Sequence, residues 1–180
     1  MHDKASLVTS IEQYQTSFPE EALLLGAFLE LLQHPRAFHR DHLPGHITGS
    51  AWILDETKTF ALLTHHAKLN RWLQPGGHAD GDENIINVAL REATEETGLQ
   101  SLKVARHSIF DLDIHAIPAR ENFPQHLHYD IRILLHASKK EKPAVTEESH
   151  DLQWVPLAQV PQQSGQNISM IRMCRKTVLP

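Results

Sequence analysis

Residues Glu83 to Thr97 repeat their chemistry with a helical period and Gly98 ends them, and this segment constrains the fold more tightly than any other. Advancing by about 100° per residue sorts the segment into three stripes. Ile86, Ala89, Leu90 and Ala93 make an apolar face expected to pack on a sheet. Asn84, Asn87, Arg91 and Thr94 make a polar face, and Glu92, Glu95 and Glu96 share the third with Ile85 and Val88. Asp80 or Asp82 is the candidate N-cap. The three carboxylates are an anomaly. Like charges three and four residues apart repel by roughly 0.2–0.5 kcal/mol per pair, and this end of a helix carries the negative half of its dipole. Arg91 can pair with Glu95 at i,i+4 and offsets only part of the repulsion. A solvated acidic face is one account of such a triplet. A divalent-cation site is the other, because Mg²⁺ takes hard oxygen ligands.

The surrounding chain supplies strands. "HITGSAWIL" and "TFALLTHH" flank the turn-like "DETK", and "RWLQ" is a short strand running into the loop "PGGHADGD". In that loop Gly76 and Gly77 let the backbone approach a ligand closely and take conformations barred to other residues. Longer strands are expected near Val104–His115 and His126–His136, with "LQWVPL" a late strand and a short helix from Ile168. The first forty residues read as helical: "SFPE" offers a capping box from Ser17 to Glu20, and Ala22 to Leu32 is densely apolar. Strands mixed with a few helices imply an α+β fold with a mixed sheet.

At 180 residues the chain is long enough for one well-cored domain with a helical extension. The boundaries expected are an extension over 1–42 and a catalytic domain over 43–180. A net charge of −5 without a long basic block argues against nonspecific nucleic-acid binding. The single cysteine, Cys174, excludes an internal disulfide framework and a cysteine-rich zinc site. The stretch "MHDKASLVTSIEQYQ" has no apolar run of signal-peptide length, and no segment approaches membrane-span length, so a cytoplasmic protein without a membrane partner is expected.

From Gly77 to Leu99 the chain fits the pattern G-x5-E-x7-R-E-U-x-E-E-x-G-U, with U aliphatic. Gly77, Glu83, Arg91, Glu92, Glu95, Glu96 and Gly98 fill the fixed positions, and Ala93 and Leu99 the aliphatic ones, Ala93 being smaller than usual. If each residue type occurs about once in fifteen, seven matches arise by chance about once in 10⁸ start points. The stretch resembles the Nudix hydrolase signature. That resemblance implies an α/β/α sandwich with a mixed sheet, and hydrolysis of a nucleoside diphosphate linked to another group with Mg²⁺ or Mn²⁺. By motif position it implies Glu92, Glu95, Glu96 and the Gly76 carbonyl as metal ligands. Glu92 would be a ligand or the base acting on water, which glutamate is the base varying within the family; Arg91 and Glu83 would be orienting partners, and Glu92, Glu95 and Arg91 the catalytic candidates. Acidic residues beyond the box often assist in this family, and Glu147 and Glu148 are the candidates, Glu148 as a substrate contact.

Two later runs share an odd grammar. "DLDIH" puts Asp111, Asp113 and His115 on one strand face, and "HLHYD" puts His126, His128 and Asp130 on one face, opposite Leu127, Tyr129 and Ile131. On neighbouring strands these would form one wall, suited to a second metal or to substrate, or simply a solvent-facing polar side. Gly77 and His78 are further candidate substrate contacts beside the expected phosphates. Trp52, Trp72 and Tyr129 can stack on a base or pack the core. A wide polar wall favours nucleotide sugars or ADP-ribose-like compounds, with nucleoside triphosphates or dinucleoside polyphosphates as the alternative. A noncatalytic nucleotide sensor on the same fold is the rival from another class, although such a protein would be expected to lose box carboxylates. The apolar helix Ala22–Leu32 would cover the core or a second subunit, making a homodimer possible.

Overall fold

The computed structural model describes residues 1–67, 69–120, 123–146 and 149–179. Helix α1, Lys4–Glu12, begins with a reciprocal box in which Asp3 accepts from the Ser6 amide at 2.8 Å and Ser6 Oγ accepts from the Asp3 amide at 3.2 Å. It buries Leu7 and Ile11. The apolar run beyond it is two short helices, α2 over Pro19–Ala22 and α3 over Leu25–Leu31, and not one helix from Ala22 to Leu32. The expected Ser17–Glu20 box is absent, since Phe18 is the N-cap and has no side-chain cap. Thr16 Oγ1 takes the Phe18 amide instead, at 3.1 Å.

Glu21, within α2, turns inward and is completely buried. Its carboxylate accepts from Tyr14 Oη at 2.8 Å, from Thr16 Oγ1 at 2.5 Å and from the Leu112 amide at 2.8 Å. Tyr14 Oη also lies 3.0 Å from the Phe110 carbonyl. One buried acid therefore ties the N-terminal helices to the strand carrying Phe110 and Leu112. Tyr14→Phe, which removes the hydroxyl and little volume, is expected to lower stability by about 1–2 kcal/mol. Urea unfolding checks this, and an unchanged midpoint would contradict the role given to Glu21.

Seven strands follow among the described residues: β1 Gly45–Leu54, β2 Phe60–His66, β3 Arg71–Leu73, β4 Gly76–His78, β5 Lys103–Ile117, β6 His126–His136 and β7 Ser149–Pro156. They form a mixed sheet in the order β3-β2-β1-β6-β5, with β4 on β1 and β7 on β2. β1 is buried along its whole length, as a central strand must be. It turns into β2 with Leu54 opposite Ala61, and Asp55 Oδ1 closes the turn by accepting the Thr59 and Phe60 amides at 2.9 Å each. β2 pairs antiparallel with β3 and with β7, where a bulge falls between His65 and His66. The segment expected as a loop, Gly76–His78, is therefore strand β4. Its glycines take no left-handed backbone, positive φ among the described glycines being confined to Gly81, Gly98 and Gly165.

Helix α4 spans Ile85–Thr97 and stops where expected, with Gly98 at φ +69°. Its N-cap is Asn84, whose Oδ1 takes the Asn87 amide at 3.3 Å, and not Asp80 or Asp82. Asp80 is paired with Arg40, and Asp82 accepts the Asn84 amide at 2.8 Å. The glycine at 49 matters here: a Cβ on it would lie 2.8 Å from Val88 Cγ1, so α4 approaches β1 closely only because position 49 is bare. Helices α5, Val160–Gln163, and α6, Ile168–Val178, close the described chain. Asn167 caps α6, which buries Met170, Met173 and Cys174. No helix among the described residues is long and apolar enough to cross a membrane.

Contacts group the chain into two compact units, one of Met1–Ser50, Gly77–Ala89 and His107–Ile133, the other of Ala51–Gly76, Leu90–Arg106 and Leu134–Pro180. The first unit holds the N-terminal helices, and the second holds β2, β3, β7 and α6.

Candidate active site

Within the second unit, the acidic end of α4 is not a solvated face. Glu96 is only 7% exposed and Glu92 has 12% of its side chain exposed, while Glu95 reaches solvent at 61%. Ile85 and Val88, expected on the same stripe, are completely buried. Glu96 Oε1 accepts the Gly76 amide at 3.0 Å, which joins the last turn of α4 to the first residue of β4. Arg91 Nη1 sits 2.5 Å from Glu92 Oε1 and 3.4 Å from Glu95 Oε2. The expected i,i+4 pair is thus present, with the neighbour at i+1 held more closely. Arg91 thus holds two of the three carboxylates, Glu92 and Glu95, and the third, Glu96, takes the Gly76 amide. Glu83 does something else: its Oε2 accepts the Lys4 amide at 2.9 Å and anchors the start of α1.

The polar wall expected on β5 and β6 divides into two. The strands are neighbours, but their carboxylates surround an arginine. Arg132 is buried and donates from Nη1 to Asp111 at 3.0 Å, from Nη2 to Asp113 at 3.1 Å and from Nε to Asp130 at 2.9 Å. Asp130 Oδ1 also accepts from Ser50 at 2.6 Å and Thr48 at 3.1 Å. The three surrounding carboxylates hold Arg132 above the ordinary arginine range despite the opposing effect of burial. Asp130 is therefore engaged inside the fold, and of this polar side Asp111 and Asp130 are buried while His115 reaches solvent.

The imidazoles form the second half. His126 and His128 gather with His46 of β1 and His78 of β4, one ring nitrogen of each lying within 4.8 Å of the others. His46 and His126 are buried, and the other two half-buried. Burial first, then nearby positive charge, holds His78 at about 4 and His128 at about 2, and lowers His46 as well. His115, on β5, keeps to Asp113 at 3.3 Å and meets His128 edge-on.

Two participants carry little signal in the sequence. His46 stands 32 positions before His78 and belongs to no repeated pattern. Arg132 lies inside the apolar run "DIRILLH", where a lone cation beside an aspartate hints at a buried pair. Of the aromatic candidates, Trp52 is buried and donates to Thr177 at 2.9 Å, Trp72 stacks on His65, and Tyr129 meets Phe28 edge-on. Glu147 and Glu148 lie outside the described residues.

Comparisons with known proteins agree with the box. A family model for the NUDIX domain matches residues 45–174. Over 139 residues the chain is 28% identical to a Lactococcus lactis subsp. cremoris protein named "Probable DHNTP pyrophosphohydrolase", covering 75% of this chain and 80% of that one. A C. elegans Ap4A hydrolase, solved as a binary complex, is similar with a TM-score of 0.58 at 18% identity, covering 72% of this chain and 93% of that one. The E. coli dihydroneopterin triphosphate pyrophosphohydrolase is similar with a TM-score of 0.53 at 12% identity, over 72% of this chain and 92% of that one. With the family match spanning most of its length and the box residues filled, this chain belongs to the NUDIX family and is a hydrolase.

Proposed function

We propose that the protein is a divalent-cation-dependent pyrophosphohydrolase that opens a phosphoanhydride bond in a nucleoside-type triphosphate, with Mg²⁺ or Mn²⁺ as cofactor. The observation that carries this is the placement of Glu96 and Glu92, withdrawn from solvent at the negative end of α4 beside Gly76. Carboxylates in that position lose hydration and repel each other, a cost that a structural role does not explain. The donor set fits a hard cation: Glu92, Glu95 and Glu96 offer carboxylate oxygens, and Gly76 a carbonyl. A cation held there supplies charge neutralisation on phosphate oxygens and a lowered pKa for the attacking water.

The residues divide the work around it. The Gly76 amide restrains the orientation of the Glu96 carboxylate. Arg91 holds Glu92 at 2.5 Å and limits the spread of like charges along the helix. A single carboxylate takes the proton of the attacking water, and Glu92, held by Arg91, is the candidate, while Glu95 is the one open to solvent.

The substrate follows from two considerations. A nucleotide sugar or ADP-ribose-like compound needs polar contacts for its second moiety. The wall expected to make them has Asp111, Asp113 and Asp130 already bound to Arg132. The relative matched over three quarters of this chain is named for DHNTP, a triphosphate in the name of the E. coli structure. A phosphate-release screen with coupled phosphatase, run over nucleoside and pterin triphosphates, dinucleoside polyphosphates and nucleotide sugars, tests this. The expected result is kcat/KM for a triphosphate at least about tenfold above any nucleotide sugar, equivalent to about 1.4 kcal/mol of discrimination. A nucleotide-sugar preference would overturn the substrate class, and no Mg²⁺-dependent turnover of any compound would favour a ligand sensor.

A further inference from the structure

The four imidazoles of His46, His78, His126 and His128 serve no part of that chemistry, and their arrangement is not that of packed core histidines. Five of their six ring pairs have centroids 5.0–5.2 Å apart. Two of the rings have their tautomer set from behind. His46 Nδ1 lies 3.3 Å from the His42 carbonyl, and His126 Nδ1 lies 2.9 Å from the Pro124 carbonyl. A carbonyl can only accept, so each Nδ1 carries the hydrogen and each Nε2 keeps its lone pair. This is the outer-shell hydrogen bond that metal-ligating histidines make.

Those lone pairs face inward. His46 Nε2 is buried and has no hydrogen-bond partner, an unusual expense for a ring nitrogen that close to three others. His126 Nε2 and His128 Nε2 are 3.3 Å apart. In a tetrahedron with metal–nitrogen bonds of about 2.0–2.1 Å the edges are about 3.3–3.4 Å, so this pair already stands at the separation that two ligands of one ion require. We propose that His46, His78, His126 and His128 form a four-nitrogen site for a borderline divalent transition metal, zinc in the first instance. The donor set decides the class. Imidazole suits zinc, copper, nickel and iron, whereas Mg²⁺ and Mn²⁺ prefer carboxylate, carbonyl and water. Four protein ligands with no open position make the site structural, joining β1, β4 and β6, and not a source of activated water.

The test uses the full chain carrying no polyhistidine tag and purified without chelator. Metal analysis is expected to find about one zinc per chain. After stripping and reloading with Co²⁺ in excess Mg²⁺, which occupies the carboxylate site, intense visible d–d bands of tetrahedral cobalt are expected. H126Q/H128Q should retain at least about tenfold less zinc and lose the cobalt bands. H107Q, at an exposed histidine outside the cluster, should keep both. Zinc should raise the melting temperature of the wild type and leave H126Q/H128Q unmoved. Should the double variant fail to fold, the single H78Q decides, since replacing one nitrogen ligand alters the cobalt bands. Wild-type protein that holds neither zinc nor tetrahedral cobalt overturns the site. So does zinc binding that is unchanged in folded H126Q/H128Q, or cobalt bands unchanged in H78Q.

Discussion

Glu96→Gln is expected to lose about 10²–10³-fold in Mg²⁺-dependent turnover while folding as well as the wild type. A metal contributes several kcal/mol of charge stabilisation in the transition state, and each 1.36 kcal/mol is a factor of ten. The substitution is chosen for what it preserves. Glutamine keeps an oxygen that can accept the Gly76 amide, now 3.0 Å from Glu96 Oε1, so no buried donor is orphaned. It removes one of three like charges crowded at the end of α4, which by itself relieves repulsion. Stability without metal should therefore stay level or rise, and activity should fall, a combination that simple unfolding cannot produce. Mg²⁺ at 100 times its Kd stabilises a folded protein by about 2.7 kcal/mol, and that shift in melting temperature should shrink sharply in Glu96→Gln. Steady-state kinetics and thermal melts with and without Mg²⁺ read both effects. Turnover within about threefold of the wild type would remove Glu96 from the mechanism.

How much of this is legible in the chain depends on how local each determinant is. The period of α4 and its stop at Gly98 are carried by neighbouring residues, so the helix and its acidic end can be placed without a structure. Its start is harder. Asp80, Asp82 and Asn84 all have capping chemistry, and Asp80 is taken by Arg40, forty positions earlier, which no local pattern announces. Strand alternation puts His126 and His128 on one face, yet period two says nothing about which strands lie alongside. His46 and His78 reach that face only through the pairing of β1 with β4 and β6. The same blindness conceals Arg132, because alternation reads "DIRILLH" as a strand and cannot show three carboxylates closing on one side chain. The N-terminal run shows the converse: local signals favour a single helix, and nothing local announces that Glu21 turns inward to Tyr14 and to the Leu112 amide, 91 positions on.

Arg132→Met should destabilise the first unit by about 3–5 kcal/mol. Arginine and methionine have similar apolar stems, so little packing is lost, and the effect isolates the charge. In the wild type one guanidinium uses three of its nitrogens on three carboxylates, at 2.9–3.1 Å, with Asp111 and Asp130 both buried. The cluster is short of positive charge even so, one cation against three acids. Removing the cation takes three charge-assisted hydrogen bonds from carboxylates of which Asp111 and Asp130 are buried, while the Ser50 and Thr48 hydroxyls stay on Asp130. Lysine is no remedy, because an ammonium on a flexible stem cannot reproduce a planar fork that meets three acceptors at once. Arg132→Lys should therefore fall between wild type and Arg132→Met. Urea unfolding with a constant m value measures both. The decisive control is Arg132→Met combined with Asp111→Asn and Asp130→Asn, which removes the stranded charges along with the arginine. If repulsion and desolvation are the cause, the triple variant recovers a large part of the loss, and the non-additivity gives the coupling directly. A loss below about 1 kcal/mol in Arg132→Met would contradict the role given to the buried ion pairs.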